Sequence, residues 1–353
     1  MKSDVYFIEV SEANLEKRCL ALSKLLEKIS HFLPYEKDEL VPIKFTIGDS
    51  TCVYNLSPEL VKIMVTKIKA KKAKPFVFDT NVIYSGERQN AVDHLTLAQN
   101  KGFAQVKIGA PYIVADGLIG QDGKEFEISS EVIKKIKVPS FIGTLDSLLV
   151  LSHATGHIIS GYAGSIKNVA MGMVCRPTKL TQHSSIKPHT IKDKCTLCRS
   201  CIAACPAGAI EVKSNRVIIN PDLCVGCGEC LCACRFDAIF INWHENSDIF
   251  AERLVDVAQF ILSKFKNKFF INFLFDITKE CDCISNKNDE MVAGDIGILA
   301  SGDILSLDKA TMDLIDKHHG TLREARPQGV FNKMFSYAQE KKLGNLEYNL
   351  IKV

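Results

Sequence analysis

Eight cysteines, set out as one pattern used twice, constrain this chain more than any other feature. Cys195, Cys198, Cys201 and Cys205 are followed, 29 positions on, by Cys224, Cys227, Cys230 and Cys234. Each set reads C-x2-C-x2-C-x3-C, the spacing that holds a cubane iron–sulfur cluster. Three closely spaced thiolates on a tight loop wrap three corners of a cubane, and the fourth cysteine points to the other cluster. The pattern therefore predicts two [4Fe–4S] clusters with crossed ligand sets. One takes Cys195, Cys198, Cys201 and Cys234; the other takes Cys224, Cys227, Cys230 and Cys205. Zinc would call for cysteine pairs rather than triplets.

The flanks repeat as well. Ala209-Ile210-Glu211-Val212 aligns with Ala238-Ile239-Phe240-Ile241, so each half closes on a short apolar strand. Arg216 to Asn220 alternates into the turn Pro221-Asp222. Gly208, Gly226 and Gly228 leave room for backbone amides near cluster sulfurs. On these residues the segment resembles the two-cluster bacterial ferredoxins, with two departures. Arg235 stands where a proline is expected after the last cysteine, either as positive charge beside a cluster or as a solvated surface residue. Cys232 is an extra thiol, read as a small packed residue.

Composition sets the wider frame. A chain of 353 residues with 46% hydrophobic and 24% charged side chains predicts two or three ordinary globular domains. A net charge of +3 argues for neither nucleic acid nor membrane as a partner. Met1 to Val10 runs straight into an apparent strand with no basic, apolar leader, and the longest apolar runs are too short to span a bilayer. Thiolate ligation by eight of fourteen cysteines requires a reducing compartment, so a cytoplasmic protein is expected.

Before residue 190 the pattern alternates strand and helix. Strands are predicted at Val5–Val10, Val41–Ile47, Phe76–Asp79 and Ser147–Ser152, and helices at Glu12–Phe32, Pro58–Ala70 after Ser57, and Asn90–Asn100. Beyond the cysteines come a helix over Glu252–Phe265, the apolar run Phe269–Phe275 (FFINFLF), and helices near Lys309–Lys317 and Asn332–Lys342. A fully apolar strand needs a sheet on both sides, so the chain is expected to return to its first domain. The predicted fold class is α/β with a mostly parallel sheet, formed by residues 1–188 and 246–353, and a small α+β ferredoxin-like domain inserted at 189–245.

Outside the repeat, Cys281-Asp282-Cys283 follows the FFINFLF strand. Residues two apart in extended backbone share a face, so both sulfurs can meet one metal or act in redox chemistry; a disulfide between them would be strained. The alternative is two reduced, half-buried thiols. His153, Gly156, His157, Gly161, Gly164, Lys167 and Asn168 follow the SLLVLS strand, with amides placed to cradle an anion at a helix start. Asp79-Thr80-Asn81, Tyr84 and Asp93-His94 form a third set, and Cys175, Lys179 and His183 a fourth. Asp79, His94, His153, His157 and Lys167 are the candidate catalytic residues; each also suits a cap, turn or hydrogen-bonded core position.

With these residues in view, the chain resembles the family called domain of unknown function 362, carrying an inserted ferredoxin. The resemblance rests on FVFDTNVIYSGERQNAVDHL (76–95), VLSHATGHIISGYAGSIKNVAMGM (150–173), KLTQHSSIKP (179–188), FINFLFDITKECDC (270–283) and GDIGILASGDILSLDKATMDLI (294–315). It implies the α/β fold with the insertion and supports Cys281 and Cys283 as a family motif. It implies no reaction. The expected function is an iron–sulfur oxidoreductase that takes electrons from a redox partner protein to a small-molecule substrate in an α/β pocket, where a third site is open to a further metal or cofactor. The alternatives are an electron carrier or maturation partner whose α/β domain only binds another protein, and a redox sensor, which lacks a basic stripe. No G-x-G-x-x-G follows the first strand and no P-loop occurs.

Overall fold

Two strands, Ser147–His153 and Asn267–Leu274, carry the apolar stretches Leu148–Leu151 and Phe269–Ile271 with no polar alternation, because both of their faces are covered. They pair in parallel, from Asn267 opposite Ser147 to Phe273 opposite His153. Around them the computed structural model builds one eight-stranded sheet. It describes the chain except residues 1, 13, 85, 184–187, 206, 225–228, 237, 241–246, 284–286, 319, 320 and 328, and the side chains of 229, 232 and 321.

The sheet strands are β1 (Ser3–Glu9), β2 (Leu40–Lys44), β3 (Lys74–Asp79), β4 (Tyr112–Val114), β5 (Ser147–His153), β6 (Asn267–Leu274), β7 (Gly297–Ser301) and β8 (Tyr348–Lys352). Their order is β8-β1-β7-β6-β5-β2-β3-β4. Only β7 runs against its neighbours, antiparallel to β1 and β6. The sheet is thus mostly parallel, and the fold is mixed α/β.

Helices cover both faces, and strand alternation sorts the side chains between them. Leu149, Leu151, Phe269, Ile271 and Phe273 pack with α1 (Leu15–Lys28) and α2 (Pro58–Ala70) in one layer. Leu148, Val150, Phe270 and Leu274 face the other layer, with α3 (Ser165–Gly172), α4 (Ser247–Leu262), α5 (Ile304–His318) and α6 (Phe331–Glu340). Each fully buried Leu, Ile or Phe contributes about 1.5–3 kcal/mol.

Helix starts differ from the sequence expectation where a side chain caps. α1 begins at Leu15 rather than Glu12, because extended Asn14 accepts hydrogen bonds from the amides of Glu16 and Lys17. Ser57 makes no capping bond to α2, which instead starts on Pro58. Asn90 caps the helix Ala91–Asn100 through the amides of Val92 and Asp93. Residues 153–163 form neither helix nor open loop: Thr155–His157 pairs antiparallel with Gly161–Ala163 in a hairpin.

The largest correction concerns the start of α3. Its first amides were expected to cradle an anion, but the protein supplies its own. Asp308 on α5 accepts from the amides of Ser165 and Ile166, at 2.9 Å each, and from Asn272 Nδ2 at 2.8 Å. The carboxylate sits where the positive end of the α3 dipole favours it. The Tyr162 hydroxyl donates to it too, at 3.2 Å, so Asp308→Ala takes the acceptor from four buried donors and is expected to lower unfolding stability by about 3–5 kcal/mol. Denaturant titration checks this; a loss under about 1 kcal/mol would contradict the capping role.

Candidate functional site

The carboxyl ends of parallel strands leave a crevice, and here the chain fills it with charge. Lys44 ends β2, Asp79 ends β3 and His153 ends β5, while Cys281-Asp282-Cys283 follows β6. These residues, with Arg88, Lys167, Lys179, His157 and His183, line one cavity of about 290 Å³. Five cationic side chains (His153 among them, as argued below) face two carboxylates, Asp79 and Asp282.

Lys44 is 1% exposed and reaches Asp79 at 3.1 Å and Asn168 at 2.8 Å. Gly172 makes this possible, since a Cβ there would fall 2.2 Å from Lys44 Cε. Arg88, 2% exposed, bonds Asp49 at 2.9 Å, Thr46 at 2.9 Å and the Tyr84 hydroxyl at 2.5 Å. Burial alone would raise the Asp79 carboxyl pKa, but Lys44, His94, Arg88 and Lys179 around it hold it below the ordinary value. Lys179 donates to Thr80 Oγ1 at 2.7 Å and to the Asn81 carbonyl; burial depresses its pKa while Asp116 and Asp79 oppose the shift.

His153 is held on both sides. Nδ1 lies 2.8 Å from Asp282 and Nε2 lies 2.6 Å from the Phe275 carbonyl oxygen. A carbonyl can only accept and Asp282 is a carboxylate, so the ring carries both protons as imidazolium. Burial opposes this charge, yet Asp282 outweighs it and the His153 pKa is raised. His157 behaves oppositely. The Ile159 and Ser160 amides point at its Nδ1, at 3.3 and 3.1 Å, which places the ring proton on Nε2. Burial, with Lys167 nearby, keeps it neutral, its pKa well below the ordinary value. Phe250 stacks between His157 and His183, at 5.8 and 4.7 Å; burial lowers the His183 pKa to about 3.

Cys281 and Cys283 are joined as a disulfide, with their Cα atoms 5.3 Å apart. Lys167 Nζ lies 3.1 Å from Cys281 Sγ and 3.5 Å from Cys283 Sγ. Burial pulls its pKa down to about 8.

Of the sequence candidates, Asp79, His153, His157, Lys167, Cys281 and Cys283 share this cavity, together with Tyr84, Asn168, Lys179 and His183. His94 does not line it. It is buried behind Asp79, bonded to the Tyr112 hydroxyl at 3.1 Å, and burial lowers its pKa to about 3. Asp93 bonds the helix-capping Asn90, and Cys175 sits near the Asp122 carbonyl, away from the cavity. Lys44, Arg88 and Asp282 were missed. A lysine inside the apolar strand LVPIK was a usable signal for Lys44; Arg88, in a loop, gave none.

The cysteine segment forms a separate small core in which Cys201, Ile210, Val217, Cys230 and Ile239 are buried. Its backbone carries the 29-residue repeat as a reciprocal exchange. The Ile191 amide donates to the Ala238 carbonyl at 2.8 Å, and the Asn220 amide donates to the Ala209 carbonyl at 2.7 Å. The Ala209 amide points at Cys205 Sγ and the Ala238 amide at Cys234 Sγ, both at 3.3 Å. Cys195, Cys198, Cys201 and Cys234 line one cavity, closed by Phe236, Val217 and Ile239. Cys227 lies outside the described residues. Among the described residues no helix is long and apolar enough to cross a membrane.

The His153 pair predicts a pH dependence. A folded-state pKa raised above the ordinary value near 6.5 contributes stability that is full below that value and is lost as pH rises through the folded pKa. The stability difference between wild type and His153→Gln should therefore be largest in mild acid and shrink toward alkaline pH. Denaturant titrations across that range check it; a difference that grows with pH would refute the imidazolium assignment.

No curated protein matches the chain. Among solved structures it is similar to a protein from Thermotoga maritima, at 12% identity and TM-score 0.41, over 94% of this chain and 60% of that one. It is also similar to the lactate racemase apoprotein from Thermoanaerobacterium thermosaccharolyticum, at 12% identity and TM-score 0.39, over 77% of this chain and 51% of that one. The chain thus covers less than two thirds of the length of either neighbour. The family described as "Domain of unknown function (DUF362)" matches residues 41–313, and the chain belongs to that family.

Proposed function

We propose that this protein is an iron–sulfur oxidoreductase, in which an inserted segment, residues 189–245, holds two [4Fe–4S] clusters that serve the charged cavity of the α/β domain. The observation that carries this reading is the shared cavity of Cys195, Cys198, Cys201 and Cys234, three thiols from one repeat and the fourth from the other. An all-sulfur donor set suits iron–sulfur ligation, and such clusters supply one-electron transfer when bound. Burial raises the Cys201 thiol pKa, and neighbouring Cys234 and Cys195 raise it further, so a cation is needed to hold these sulfurs as thiolates together. The amides of Ala209 and Ala238 support the sulfurs of the two crossing cysteines. By the same exchange Cys205 serves the second set, with Cys224, Cys227 and Cys230.

Electrons come from a redox partner protein in a reducing, cytoplasmic compartment, and the substrate is a small molecule. The surplus of buried cations around the cavity favours an anionic one. A carrier whose α/β domain only binds another protein has no need of a cavity of this size lined by cations.

Anaerobically purified protein is expected to contain about eight irons and eight sulfides per chain, with reduced-cluster EPR signals. Cys195→Ser and Cys234→Ser should perturb the same signal, while Cys205→Ser and Cys224→Ser perturb the other. Zinc in place of iron would overturn the cluster reading, and pairing of Cys234→Ser with Cys224→Ser would overturn the crossed assignment.

A further inference from the structure

His157, Cys281 and Cys283 bring their ligand-type atoms within 4.8 Å of one another, at first sight a metal site. Two neighbours argue otherwise. The half-buried Lys167 ammonium already lies at 3.1 and 3.5 Å from the two sulfurs, where it would repel a bound cation. His157 has Nδ1 occupied by two backbone amides and the Ser160 hydroxyl, which leaves its proton on Nε2 and no free lone pair for a metal. What the site does supply is two sulfurs close enough to bond and a single cation shared between them.

We propose that Cys281 and Cys283 form a two-electron disulfide–dithiol couple at the cavity, with Lys167 as the positioning residue that balances the thiolate. The proposal rests on the oxidoreductase reading only for its source of electrons. On reduction the S–S bond takes two electrons, delivered singly by a low-potential one-electron donor, and one proton from water. It breaks into one thiol and one thiolate, and the thiolate's charge pairs with Lys167. On reoxidation the thiolate attacks a small disulfide in the cavity. The mixed disulfide is then resolved by the second sulfur: the Cys281–Cys283 bond re-forms, and the substrate leaves as one thiol and one thiolate. This exchange is the chemistry native to a thiolate beside a thiol. Lys44, Arg88 and Lys179 line the same cavity and suit a small disulfide bearing carboxylates.

The full chain, kept anaerobic, is equilibrated in dithiothreitol buffers of graded redox ratio, alkylated with iodoacetamide and analysed by peptide mass. Cys281 and Cys283 are expected to become alkylated together, along one two-electron curve. Lys167→Met should slow their alkylation at neutral pH about tenfold and move its pH profile upward by about one unit, with Lys167→Arg restoring most of the rate. Independent alkylation of the two cysteines, an unchanged rate in Lys167→Met, or a stoichiometric metal lost in Cys281→Ser would each overturn the proposal. Dithiothreitol acts without any cluster, so the two readings fail separately. A working couple in an iron-free chain sinks the cluster reading alone, and a fully iron-loaded chain without the couple sinks this one.

Discussion

A continuous run of buried polar contacts ties the α/β fold to its cavity. From Asp308 it passes through Asn272 and Ser165 to Ser152, then to Asn168, Lys44 and Asp79. Each step is a side chain that would be costly to bury alone, so each is stable only while the next is in place. The run joins α5, β6, α3, β5, β2 and β3, elements drawn from both sides of the cysteine segment. A hydrophobic core of the same size would hold the layers together without fixing their register at this end of the sheet.

That register matters because the cavity's chemistry depends on which cations are satisfied and which are not. Lys44, Arg88 and Lys179 are committed to Asp79, Asp49 and the Thr80–Asn81 turn. His153 is committed to Asp282. Lys167 differs, since its hydrogen-bond partners are the sulfurs of Cys281 and Cys283. The neutral His157 beside them adds no further charge. One end of the sheet thus carries cations that protein groups anchor while they still border the cavity, and set among them is one cation that faces polarizable, oxidisable atoms.

Several parts of this arrangement were legible in the chain itself. The apolar runs at 147–153 and 267–274 announced central strands, because a strand covered on both faces has no polar alternation to show. The partition of Phe269 and Phe270 to opposite layers follows from the same geometry. Asp79 and His153 were legible as cavity-lining residues because open α/β sheets leave their crevice at strand ends. The anion cradle at Gly164–Lys167 was misread, since the acid that fills it, Asp308, lies more than a hundred residues away and nothing local announces it. His94 was overread for a similar reason: a buried histidine in an amphipathic helix looks the same in sequence whether it faces a cavity or a tyrosine behind it.

The sequence by itself determined the cysteine repeat, the alternation of strands and helices, and the place of the FFINFLF run in the central sheet. All of these are spacing rules, written in neighbouring residues and read with periods of two, three or four. Only the tertiary structure decided that Arg88 and Lys44 converge on Asp79, that Asp308 closes α3, and that Lys167 meets Cys281 and Cys283 instead of a carboxylate. Those pairings span tens to hundreds of residues, and their energies come from excluding water, a condition that exists only after the layers have closed.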